Sequence, residues 1–189
     1  MRSSAWIALP LLATIALVGC SSPPPPPAAP PPPAPAAPPE PPAPPSPPVA
    51  SSDQQFIDMA LGMGNSEIGM GRLARGKAAS HAVKALAGRM VAEHTRANQR
   101  LTALAKHLKI TASPPSDQPP PELVAATGPD FDKQYIEMVI KSHQDAISLF
   151  ESEANGGQDP RAKRFAHGML PTLRRHLHEA EAIGKKLGA

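Results

Sequence analysis

Between Asp53 and Leu187, apolar residues recur at alternating spacings of three and four in four separate stretches. That period is the signature of a helix with one buried face. The first stripe is Phe56, Ala60, Met63, Glu67, Met70 and Ala74. The second is Val83, Ala87, Met90, His94, Ala97, Leu101, Leu104 and Leu108. The third is Ile136, Ile140, His143, Ile147, Phe150 and Ala154, and the fourth Ala162, Ala166, Met169, Leu173, His176, Ala180, Ile183 and Leu187. Four such helices can bury their stripes only against one another, which predicts an all-α four-helix bundle.

Local signals set the expected ends. The first helix spans about Asp53 to Ala74, with Ser52 and Gln55 in a capping-box pattern. The second spans Ser80 to Leu108, with Ser80 as N-cap. The third begins near Pro129-Asp130 and stops before Asn155-Gly156-Gly157. The fourth opens at Asp159-Pro160 and ends near Leu187. The first two helices, and the last two, are joined by short turns and should form antiparallel hairpins. Between the hairpins lies Lys109 to Gly128, with Pro114, Pro115, Pro119, Pro120 and Pro121. Extended, such a segment reaches ~65 Å, while a helix of ~29 residues is ~43 Å long. It can return along the whole bundle, which favours a ferritin-like crossover over a simple up-down-up-down order.

Each stripe contains one polar residue: Glu67, His94, His143 and His176. Buried polar groups need partners. Counting 1.5 Å per residue from the hairpins, with the crossover, places all four within a slab of ~8 Å. A misplaced helix boundary would leave some of the four exposed; if all are buried, two readings follow. One is a hydrogen-bonded polar core that fixes helix register. The other is a mononuclear metal site of three imidazoles and a carboxylate, suited by ligand type to Cu, Zn, Ni or Fe. Met63, Met70, Met90 and Met169 lie on the same stripes; thioether sulfur would tilt a site toward Cu(I), but methionine is also an ordinary gap filler and is read here as core. A diiron centre is not expected, because no Glu-x-x-His occurs and His176-x-x-Glu179 is reversed. His81, His107, His167 and His178 fall off the stripes or at helix ends and should be solvated. Gly62, Gly64, Gly69 and Gly71 in the first helix point to close approach of a neighbour, the alternative being a weak or broken helix. Pro171 lies inside the fourth helix and frees the carbonyl of His167, so a kink is expected there.

Ahead of the helices the chain changes character. Arg2 and the apolar run Trp6 to Val18 read as an export signal, too short for a span of ~20 residues. The run ends in Leu17-Val18-Gly19-Cys20, which resembles the bacterial lipobox, and implies lipidation at Cys20. Ser21 after the cysteine, rather than Asp, implies sorting to the outer membrane. Eighteen of the 27 prolines fall between Pro23 and Pro48, a Pro/Ala segment that favours polyproline II and reads either as a stalk of up to ~80 Å holding a domain off a membrane or as an unstructured linker of no required length. The expected organisation is a signal peptide at 1–19, lipidated cysteine and stalk at 20–48, and helical domain at 49–189. The single cysteine excludes an internal disulfide and any Cys-based zinc cluster. A net charge of +3 and scarce aromatics argue against a nucleic-acid partner.

Several strings resemble one family: Phe56 to Glu67 with Gly71-Arg72-Leu73-Ala74, Met90-Val91-Ala92-Glu93-His94, Phe131-Asp132-Lys133-Gln134-Tyr135 leading to His143, and Leu170-Pro171 leading to His176. They are similar, in order and spacing, to the exported bacterial family called domain of unknown function 4142, over about Asp53 to Ala182. The resemblance implies a ferritin-like bundle outside the cytoplasm and no established activity. Glu93 matches the acidic residue that this family usually carries before the second-helix histidine. With no nucleotide fingerprint or catalytic constellation in the chain, the leading expectation is a non-enzymatic structural or binding module. It would be anchored by Cys20 and face the periplasm, with envelope stress as its setting and an envelope protein as partner. The alternative is a metal-binding or metal-redox protein using Glu67, His94, His143 and His176.

Overall fold

A computed structural model describes residues 52–112 and 117–189. The export signal, Cys20 and the Pro/Ala segment lie outside the described residues, as do Pro114 and Pro115. The chain forms α1 (Ser52–Lys77), α2 (His81–Leu108), α3 (Pro121–Ala125), α4 (Gly128–Gly156) and α5 (Pro160–Leu187). The four long helices are those read from the stripes. The short α3 was not expected; it is set inside the proline-rich connection, with Pro121 as its first residue.

Two helix starts follow the sequence signals closely. Ser80 accepts a hydrogen bond from the Ala82 N–H, and Asp159 accepts one from Arg161 N–H. Among the described residues α1 begins at Ser52, and the neighbouring Asp53 reaches a different element. The buried Asp53 carboxylate accepts the N–H groups of Gln158 and Asp159 at 2.8 and 3.0 Å. Asp132, near the start of α4, does the same for Ala79 and Ser80 at 3.0 and 2.7 Å. Each hairpin turn is thus clamped by the first residues of the other hairpin.

These clamps decide the topology. The start of α1 lies at the end of α4, and the start of α4 at the end of α1, so the two run antiparallel. The end of α2 is then at the opposite end of the bundle from the start of α4, and the connection must return along its length. It runs beside α1. Gln54 donates to the Thr111 carbonyl, Arg72 pairs with Asp117 at 3.0 Å, and Lys77 donates to the Val124 carbonyl. The fold is the ferritin-like crossover bundle.

Glycine makes this possible where the strands of backbone meet. A Cβ on Gly69 would stand 1.7 Å from the Asp117 carbonyl oxygen, and one on Gly71 would stand 2.9 Å from Val91. α1 is continuous through its glycines, as close packing requires.

The apolar core falls into two clusters. One contains Met70, Leu86, Met90, Tyr135, Val139 and Ile183, the other Phe56, Leu101, Phe150, Phe165, Met169 and Leu173. On every long helix, the polar stripe residue lies between the two. α4 departs from its predicted stripe: Tyr135, Val139, Ala146 and Glu153 are buried, while Ile140, Ile147 and Ala154 are half-buried on the flank. α4 packs against both α1 and α5, so its buried arc is wider than one stripe and centred to one side of it. α5 continues through Pro171 without interruption of the helix. Among the described residues, no helix is long and apolar enough to cross a membrane.

Candidate metal centre

Glu67, His94, His143 and His176 are all buried, at 3%, 8%, 1% and 1% exposure. The three imidazoles form a nearly equilateral triangle with ring centroids 5.4, 5.5 and 5.6 Å apart. One nitrogen from each ring lies within 4.8 Å of the others. One residue per helix at a common level is thus realised by α2, α4 and α5.

The outer edge of each ring sets which nitrogen faces inward. His143 Nδ1 is 2.9 Å from the Val139 carbonyl oxygen. A carbonyl only accepts, so Nδ1 carries the proton and Nε2 carries a lone pair. His176 Nε2 is 2.9 Å from Glu93 Oε2, so that nitrogen donates and Nδ1 carries the lone pair. His143 Nε2 and His176 Nδ1 face one another at 3.3 Å. Neither has a hydrogen to offer in its neutral form. His94 Nε2 is buried with no hydrogen-bond partner.

Protonation does not resolve this arrangement near neutral pH. Burial, followed by the neighbouring imidazoles, lowers the His94 pKa to about 3. Burial and then His176 lower His143 to about 4, against an opposing pull from the Val139 carbonyl. Burial also lowers His176, opposed by its hydrogen bond to Glu93. Two nitrogens bound to one ion at ~2.05 Å and a tetrahedral angle are ~3.3–3.4 Å apart, close to the observed His143–His176 spacing.

Glu67 occupies a different position from the one the stripes suggested. Its Oε1 accepts a hydrogen bond from the Ser142 hydroxyl and lies 3.6 Å from His143 Nδ1, the ring nitrogen turned away from His176. It stands beside His143 and lines the same small cavity as His94 and His143, while the group within 4.8 Å is that of the three imidazoles. Burial raises its pKa to about 7, with the Ser142 hydrogen bond acting the other way. Its Oε2 and the Tyr135 hydroxyl are both buried without a partner. Glu93 is the residue that ligand reasoning from the stripes passed over. It lies off the stripe of α2, yet reaches across to His176 and Arg175 on α5. Its one sequence signal was its place beside His94.

A cavity of about 30 Å³ adjoins His94 and His143, lined on its apolar side by Met63, Leu101 and Met169 among others. Met70 and Met90 instead fill the core cluster on the far side of the imidazoles. His81, His107, His167 and His178 are exposed, as expected.

The sequence family described as a domain of unknown function, DUF4142, matches residues 38–183. The chain belongs to the DUF4142 family. No curated protein matches this DUF4142 chain. Among solved structures it is similar to a DUF305 protein from Streptomyces coelicolor, at 14% identity and a TM-score of 0.65, over 74% of this chain and 95% of that one. A DUF305 fragment from Deinococcus radiodurans matches at 15% identity and a TM-score of 0.64, over 74% and 99%. CopM in its Cu(I)-bound form matches at 19% identity and a TM-score of 0.63, over 71% and 96%. At these identities the likeness establishes that the DUF4142 bundle shares their fold.

Proposed function

We propose that this bundle binds a single transition-metal ion through His94, His143 and His176. The observation that carries the reading is the convergence of three imidazoles, two with their outer N–H groups already committed to Val139 and Glu93. Outer partners of this kind fix the tautomer and aim the lone pair of a metal-binding histidine. Copper is the favoured ion. Imidazole suits it, the thioethers of Met63 and Met169 line the adjoining cavity, and the similar fold CopM has been solved in Cu(I)-, Cu(II)- and Ag-bound forms. Zn, Ni and Fe remain accessible by ligand type.

The test is metal content of the full-length chain purified without chelator or metal-affinity tag, paired with melting curves. One ion per chain is expected. At a free-metal level of 100 times Kd, it should stabilise the fold by about 2.7 kcal/mol. That gain should vanish in His143→Leu. A metal-free protein indifferent to added ions would reduce the polar layer to a register-fixing core, the reading of a structural module.

The setting completes the proposal. Leu17-Val18-Gly19-Cys20 and Ser21 support a lipoprotein anchored at the outer membrane through Cys20, with the bundle held toward the periplasm by the Pro/Ala segment. A metal-binding module there would act in the envelope's response to metal stress. Cys20→Ala should release the protein from the membrane fraction; retention there would count against the anchor.

A further inference from the structure

The cavity beside the imidazoles approaches two surface grooves, one on each side of α2. Asn98 lines both the cavity and a groove of about 460 Å³ between α1 and α2. Met169 and Ala97 line both the cavity and a groove of about 260 Å³ between α2 and α5. The two barriers differ physically. Asn98 Nδ2 donates to Asn65 at 2.5 Å and toward the Leu61 carbonyl at 3.4 Å, which ties α2 to α1. It also fills the space left by Gly64, where a Cβ would stand 2.2 Å from its Oδ1. Met169 has no such tie. Its thioether chain turns about three bonds, and the residue that shares both linings with it is the small Ala97.

Charge at the mouth of the second groove adds a filter. Glu93 is committed to Arg175 and His176. Arg100 lies over the Phe165 ring, 5.4 Å from its centroid, and Arg96 has no partner among the described residues. The mouth is therefore positive. Repulsion scales with the charge of the arriving ion, so a divalent cation meets twice the barrier of a monovalent one. A thioether in turn selects soft ions.

We infer that metal reaches the three imidazoles through the seam between α2 and α5, with Met169 as a swinging gate that admits soft monovalent ions, Cu(I) or Ag(I), ahead of hard divalent ones. This rests on the metal-binding reading above. The ion passes from solvent to the Met169 sulfur and on to the imidazole nitrogens with no change of oxidation state.

The experiment loads the full-length chain with Ag(I), a redox-inert probe, and follows free Ag(I) with a silver-selective electrode. Release is then followed after excess chelator is added. Met169→Leu keeps the volume and removes the sulfur; uptake should slow by about tenfold with the same final stoichiometry. Met169→Ala opens the barrier, and release should quicken by about tenfold. Thr102→Ala widens the other groove without touching the cavity lining and should leave both rates unchanged. Raising salt should speed uptake in the wild type by screening the arginines. Wild-type rates in both Met169 variants, or faster exchange in Thr102→Ala, would overturn the route. Loss of equilibrium binding in Met169→Leu would make Met169 a ligand and overturn its role as gate. A wild-type chain that takes up no Ag(I) or Cu(I) would sink the metal reading, and this inference with it.

Discussion

Replacing His94 by leucine should make the metal-free protein more stable and the metal-loaded protein less stable than wild type. His94 is 8% exposed, and its Nε2 has no hydrogen-bond partner. An unsatisfied buried polar atom costs about 1–3 kcal/mol, which leucine would remove. The difference in shape between imidazole and isobutyl returns at most about 1.5 kcal/mol of that. Leucine would also join the cluster of Met90 to that of Leu101. The expected net gain in the metal-free state is about 1 kcal/mol, or roughly 3–5 °C in Tm for a domain of this size. With metal at 100 times Kd, the wild type gains about 2.7 kcal/mol and the variant nothing, so the order reverses by about 1.7 kcal/mol. Urea denaturation of chelator-treated and metal-saturated protein reads both differences. A metal-free variant weaker than wild type by more than about 1 kcal/mol would refute the claim that His94 is an orphaned polar group. Undiminished stabilisation by metal would refute its role as a ligand.

The remaining expectations concern the frame around the site. Glu153 has its pKa raised from 4.5 to about 7, chiefly by burial and then by Asp53. The native state therefore keeps a proton that the unfolded chain releases, so this group's contribution to stability is full below about pH 4.5 and falls until about pH 7. Glu153→Gln should flatten that fall in urea titrations between those limits; an unchanged slope would show that Glu153 is not its source. Asp132→Ala removes the acceptor of two backbone N–H groups and should cost about 2–4 kcal/mol by chemical denaturation, with Asn recovering part of it. Gly69→Ala drives a Cβ into the Asp117 backbone and should cost about 1–3 kcal/mol while exposing the crossover to protease. Gly76→Ala, with nothing within 4 Å, should instead stabilise by up to about 1 kcal/mol, and equal effects at the two positions would contradict the packing described.

Much of this protein is legible along the chain because a helix repeats every 3.6 residues. The four stripes, the Ser80 and Asp159 caps, and the length of the Lys109–Gly128 connection are one-dimensional signals; they give a four-helix bundle and favour the crossover, which the Asp53 and Asp132 clamps decide. The same period exposes Glu67, His94, His143 and His176 as polar interruptions at a common level. Where those side chains point is another matter. Glu67 shares the level of the histidines but faces the outer nitrogen of His143, because its direction depends on how α1 is rotated against α4. Asp53, Asp132 and Glu153 are buried although they fall off the predicted stripes, since their partners are the turns and helix ends of other elements. Leu123 is buried in a connection that reads as proline-rich loop. Most of all, the inward lone pairs of His143 and His176 follow from what touches their outer edges, Val139 four residues back and Glu93 on another helix. Periodicity is a property of one helix alone; a metal-binding geometry is a relation among several, and only their packing creates it.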